Sequence, residues 1–154
     1  MKTLTIRKGT QLVIKTFPSL FVLALIIAAP IAVRSQCFET EPAPVTLTGT
    51  IYAKNFPGPP NFESIRAGDE RMRYWIFRLD KPICVEGDSF DNTSAFNVRD
   101  LQLAFPDGSF YTQYRRDVRE HRRFKVTGSL FHRNTGHHVT NILVSVKTLT
   151  PFRK

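Results

Sequence analysis

The sequence predicts an all-β domain with one short helix, folded as a small five-stranded OB-like barrel behind an export signal. Two observations point to the barrel. Segments of period-two hydrophobicity run in the order three strands, a helix, two strands. Two of those strands also share a glycine-centred motif, Leu47-Thr48-Gly49-Thr50-Ile51-Tyr52 and Val126-Thr127-Gly128-Ser129-Leu130-Phe131. A generic β-sandwich is the alternative.

The strands follow from their alternation. In 45–54, Val45, Leu47, Gly49, Ile51 and Ala53 share one side and Thr46, Thr48, Thr50 and Tyr52 the other. Gly49 marks a sharp bend or a close backbone approach, and Gly128 does the same in its own strand. Residues 55–73 read as a long loop around Phe56-Pro57-Gly58-Pro59-Pro60-Asn61. Residues 74–79 form a second strand with Trp75, Phe77 and Leu79 on one face. Asp80-Lys81-Pro82 is expected to end it, with 83–85 a separate extended piece. A third strand, 98–105, runs through Leu101, Leu103 and Phe105. The period then changes: Phe110, Tyr114 and Val118 are four apart, which predicts a short amphipathic helix within 109–123, with Ser109 as N-cap. Strands at 124–131 and 139–149 close the series, joined by the loop 132–138.

The first 35 residues predict a secretory signal. Lys2, Arg7, Lys8 and Lys15 stand without a single acid, and 17–33 is an uncharged run rich in Leu, Ile, Val and Ala. Val33 and Ser35 occupy the small or β-branched positions a signal peptidase takes, so the cut falls before Gln36. The domain then spans 36–154. The alternative is an inner-membrane anchor: at about 1.5 Å of rise per residue, 16–33 is only just long enough to span, and Pro18 and Pro30 weaken it. Lipid attachment at Cys37 fails, because Arg34 and Gln36 stand where an aliphatic and a small residue are needed. A periplasmic or secreted location follows.

Export changes the charge argument. The chain carries 22 basic and 13 acidic residues, but five of the basic ones and none of the acids lie in 1–35, which lowers the net charge from +9 to +4. That suits solubility and admits an anionic partner without naming one. Cys37 and Cys84 are the only cysteines and have one possible pairing in an oxidising compartment; two free thiols are the alternative. The bond would contribute roughly 4 kcal/mol on the chain-entropy model.

Candidate chemistry is sparse. His132 could face His137 or His138 across a hairpin, but consecutive residues of a strand point to opposite sides, which leaves too few zinc ligands. Glu63, Asp69 and Glu70 share a loop with Arg66, Arg71 and Arg73, which predicts ion pairs rather than acid–base catalysis. No serine sits in a nucleophile elbow. Neither a metal nor a cofactor is expected. The basic residues Arg115, Arg119 and Arg122 form a helical stripe, which reads as a solvated face with Asp117 and Glu120 as its counter-charges.

The chain resembles an exported bacterial family known as a domain of unknown function, number four-four-three-one in its series. The resemblance rests on residues 45–52, on Phe56-Pro57-Gly58-Pro59-Pro60-Asn61-Phe62-Glu63-Ser64-Ile65, on Gly68-Asp69, on Pro82-Ile83-Cys84-Val85, on 126–131 and on Thr135-Gly136-His137-His138. The basic 115–123 segment stands outside that pattern. The resemblance implies export and a small β domain, and it supplies no activity.

The functional expectation is a non-enzymatic binding module for a polar or anionic ligand or partner. In an OB-fold the working surface is the second and third strands, flanked by the loops between strands one and two and between strands four and five. Here that surface offers Phe62, Arg66, Arg71, Arg73, Tyr74, His132, Arg133 and His138. Binding is expected to depend on these loops rather than on the helix. An anionic small molecule, a wall polymer or a protein could fill the site. Export argues against nucleic acid, and membrane contact is expected only through the signal segment. The rival readings are an inhibitor or immunity protein, whose rigid Pro-rich loop plugs a wall hydrolase or toxin, and then a metal-dependent enzyme.

Overall fold

A computed structural model describes residues 37–152. The proposed signal and its cleavage point lie outside them. Five strands alternate with the helix in the expected order: β1 (Pro44–Pro57), β2 (Arg71–Val85), β3 (Ala95–Ala104), α1 (Ser109–Arg119), β4 (Arg123–His132) and β5 (Ile142–Pro151). The ring of hydrogen-bonded neighbours closes as β1-β2-β3-β5-β4. All its pairs are antiparallel except β3 with β5. This is the OB-like arrangement, an all-β domain with one helix, and not a sandwich.

The core sits inside the ring. Alternate residues supply it: Val45, Leu47 and Ile51 from β1, Trp75, Phe77 and Leu79 from β2, Leu101 and Leu103 from β3, then Phe124, Val126 and Leu130, and Val144 and Val146. Helix α1 plugs one end. Val118 is buried in the core, Tyr111 packs edge-on against Trp75 and Phe105, and Tyr114 packs against Phe124. The four-residue apolar spacing is therefore what turns this face inward.

Both motif glycines stand where neighbouring backbone comes too close for a side chain. A Cβ on Gly49 would lie 2.1 Å from the Arg78 carbonyl oxygen, and one on Gly128 would lie 2.0 Å from that of Ser145. The β4–β5 register shifts between Thr127 and Gly128. Cys37 and Cys84 are disulfide-bonded, and Phe38 pairs with Val85 beside the bond.

Three local expectations are corrected. Asp80-Lys81-Pro82 does not end the second strand; β2 runs through it. Its pairing to β1 stops at Leu79 and its pairing to β3 lapses between Arg78 and Ile83, so the missing N–H of Pro82 breaks no ladder there. Ser109 is not the N-cap. Gly108 takes that position without a side-chain bond, and the Asp107 carboxylate accepts the Ser109 N–H at 2.7 Å. The helix ends at Arg119, earlier than its basic run suggests.

The β1–β2 pairing runs from Gly49↔Leu79 to Pro57↔Arg71, whereas β1 pairs with β4 only as far as Thr50. The two strands thus continue past the ring as an arm, and α1 lies alongside it.

Candidate functional site

The outside of β2 and β3 is occupied by the chain itself. Ile76, Gln102 and Leu143 are neighbours across β2, β3 and β5, and all three are buried although Ile76 and Leu143 stand outside the core cluster. The loop 133–141 lies over them. The Gln102 side chain donates to the His137 carbonyl at 3.1 Å and accepts the Val139 N–H at 2.7 Å, and its backbone N–H donates to Thr140 Oγ1. One primary amide thus satisfies a C=O and an N–H two residues apart, as a neighbouring strand would.

The two loops expected to flank a binding surface close on each other. The Phe62 ring packs edge-on against His137, with centroids 4.9 Å apart, and lies against Gly136. The Tyr74 hydroxyl and His137 Nδ1 are 3.2 Å apart. His138 turns toward Phe131, and its Nδ1 accepts the Asn134 N–H at 3.1 Å. His132 stands at the end of β4 and is buried rather than exposed on the loop. It is 3% exposed, its Nε2 bonds the Glu86 carbonyl at 2.8 Å, and its backbone N–H donates to Asp88. Arg66, Arg71 and Arg133 are exposed.

The loop between β1 and β2 is ordered without the expected ion pairs. Asp69 is buried, and its carboxylate accepts the backbone N–H groups of Asn61, Glu63 and Ser64. Those bonds, Ser64's first, hold its pKa below the usual carboxylate value.

Arg73 belongs elsewhere. With Tyr52, Ala53 and Trp75 it forms one wall of a groove of about 660 Å³, and Tyr111, Thr112, Arg115, Val118, Arg119 and His121 form the other. The position follows from local rules. Arg73 is two residues from core-facing Trp75, so both share one face of the arm; Tyr111, Arg115 and Arg119 are successive i,i+4 neighbours on α1. Among the described residues, Arg73, Arg115 and Arg119 form no ion pair and no side-chain hydrogen bond. The helix acids serve other arginines: Glu120 pairs with Arg116 and Arg122, and Asp117 with Arg122. Arg122 stands past the helix end, which removes it from the stripe.

Among the described residues no carboxylate lines this groove. Burial, then Tyr74, raises the Tyr111 pKa, and burial, then Asp100, raises that of Tyr52. Both hydroxyls therefore stay protonated at neutral pH. The lining is rich in hydrogen-bond donors above an aromatic floor, which complements an oxyanion. Loop-based reasoning missed Arg115, Arg119, Tyr111 and His121. The four-residue spacing was the available signal.

A second groove, lined by Asp117, Glu120, His121, Arg122, Arg123, Pro151 and Phe152, adjoins the first at His121. Its charges are largely paired, Arg123 with Asp80 and Arg122 with both helix-end acids. Among the described residues no three His, Cys, Asp or Glu side chains gather as a metal site requires.

Fold and bond together define a class: a small disulfide-stapled OB-like barrel whose open end is plugged by a helix. Residues 100–150 match the model of the family described as Domain of unknown function (DUF4431), which bears out the resemblance read from the sequence. The matched span includes the basic 115–123 segment, which the sequence reading had set outside the family pattern. No curated protein and no solved structure matches the chain.

Proposed function

We propose that the protein is an exported, non-enzymatic binding module for an anionic ligand, held in the groove between α1 and the β1–β2 arm. The observation that carries this reading is uncompensated charge. Three guanidinium groups line one groove with no acid among its lining residues, while the nearby carboxylates are engaged by other arginines. Like charges gathered this way repel until an anion arrives, and each guanidinium can clamp an oxyanion through two N–H groups. Export is supported by the basic and apolar N-terminal run and by a disulfide, which suits an oxidising compartment. Calorimetric titration with tripolyphosphate tests the site. An Arg115→Ala/Arg119→Ala variant should bind over tenfold more weakly, about 1.4 kcal/mol, with its melting temperature unchanged. Equal affinity in parent and variant would remove the groove from the function.

The inhibitor reading keeps one observation in its favour. Asp69 holds the 58–70 loop in a single shape with Pro60, Asn61, Glu63 and Arg66 exposed, so little ordering entropy remains to be lost on insertion into a partner. Capture of a hydrolase from the exported fraction, abolished by Asp69→Ala and untouched by the double arginine variant, would favour it over the anion groove.

A further inference from the structure

Among the described residues, His121 alone lines both grooves. It also has an unfavourable backbone. Its N–H donates to the Val118 carbonyl and the Arg122 N–H to that of Asp117, the two bonds of a Schellman turn, with Glu120 as C-cap. His121 therefore occupies the left-handed position, at φ 52°, where glycine is the usual occupant because a Cβ costs stability.

Two other side-chain-bearing residues share this region, and each has a local reason. Asn97 belongs, as histidine does, to the residue types enriched there, and Phe62 places its ring against Gly136 and His137. The imidazole of His121 is exposed and makes no hydrogen bond among the described residues. The Schellman bonds use only the backbone of His121, where a glycine would serve as well, and among the described residues no hydrogen bond uses its ring. An exposed imidazole that the turn does not need, set at the junction of two grooves, points outward to a ligand.

Resting on the anion reading of the arginine groove, we propose that His121 contacts the ligand and joins the two grooves into one site for an elongated anion. Its charged head lies against Arg73, Arg115 and Arg119. A neutral, flat arm passes His121 toward Phe152, which is 46% exposed and capped on one side by the Arg123 guanidinium. The arm is neutral because the second groove has both signs of charge already paired, so an anion gains little there and an aromatic face gains stacking area.

The test compares inorganic phosphate, which is head alone, with 2-naphthyl phosphate, which is head and arm, by calorimetry on the purified protein. The parent should bind the naphthyl ester at least tenfold more tightly. His121→Gly and Phe152→Ala should each erase that margin, and Phe152→Ala should leave phosphate affinity unchanged. His121→Gly should also raise the melting temperature by about 2–4 °C, as relief of the left-handed conformation requires. Equal affinity of the parent for the two probes, or a margin that survives in His121→Gly, overturns the proposal and leaves the anion groove standing. A lost margin with an unchanged or lowered melting temperature makes His121 a part of the turn and also overturns it. If the parent binds neither probe, the anion reading itself falls.

Discussion

On the outside of β2 and β3 the polar groups around Gln102 have found partners, whereas beside α1 the guanidinium groups of Arg73, Arg115 and Arg119 have none among the described residues. Both surfaces carry aromatic rings and both lie against β2. They differ in what completes them. The outer face is joined to the chain's own 133–141 loop through Gln102, beside the buried Ile76 and Leu143. No described residue supplies the groove's guanidinium groups with a partner. On an OB-like barrel the customary face can thus be closed from within, and the unsatisfied chemistry then lies at the helix-capped end.

Three changes break or sharpen this contrast. The largest should remove both surfaces at once. In Gly128→Val a Cβ would meet the Ser145 carbonyl oxygen at 2.0 Å, and backbone cannot yield as a flexible side chain can. The barrel should lose about 3 kcal/mol in urea unfolding, and tripolyphosphate binding should fall with it. A parent-like midpoint would mean that β4 and β5 do not approach so closely.

A smaller change should touch one surface only. Gln102→Ala strands the His137 carbonyl and the Val139 N–H over a buried apolar row, for about 2 kcal/mol of lost stability. Amide exchange in 133–141 should quicken while groove affinity stays the same. Anion binding that weakened in parallel would show the two surfaces to be coupled.

The smallest effect is one of pH. Burial, then His137 and Arg133, holds the His138 pKa below its ordinary 6.5, and its Nδ1 accepts a backbone N–H as the neutral ring must. The folded state therefore takes up this proton less readily than the unfolded chain. The stability is whole above about pH 6.5 and declines as pH falls below it. The protection factor of the Asn134 amide, its exchange relative to the intrinsic rate at each pH, should be smaller at pH 5.5 than at 7.5, while the arginines of the groove keep their charge. A His138 titration midpoint above 6.5 by NMR would contradict this.

The barrel was legible because it rests on local signals. Alternation placed the inward residues of β1 and β2, a four-residue spacing turned Phe110, Tyr114 and Val118 inward, and the echo between Gly49 and Gly128 marked two real close approaches. The site was less legible. Arg73 belonged to the expected set and lies in the groove, but its companions depended on where α1 stops. Ending the helix at Arg119 puts Arg122 beside Asp117 and Glu120, which frees Arg115 and Arg119 of those acids. A boundary moved by a few residues reverses which charges are neutralised. The closure of the outer face was hidden for another reason. It needs Phe62 in a left-handed conformation and a glutamine 35 residues from its carbonyl partner, neither of which leaves a periodic trace.

The arm formed by β1 and β2 has a consequence for how copies of the chain avoid one another. Beyond Thr50, β1 has lost its β4 neighbour, so 51–57 presents one ladder edge that no described strand covers. Such an edge is a template for any extended segment that approaches it, including the same segment of another molecule. The sequence guards it with features that discourage pairing: Pro57 cannot donate at the tip, Lys54 places a charge along it, and α1 stands over its base at Tyr52 and Ala53. The helix that forms one wall of the groove is, from the strand's side, a barrier to aggregation.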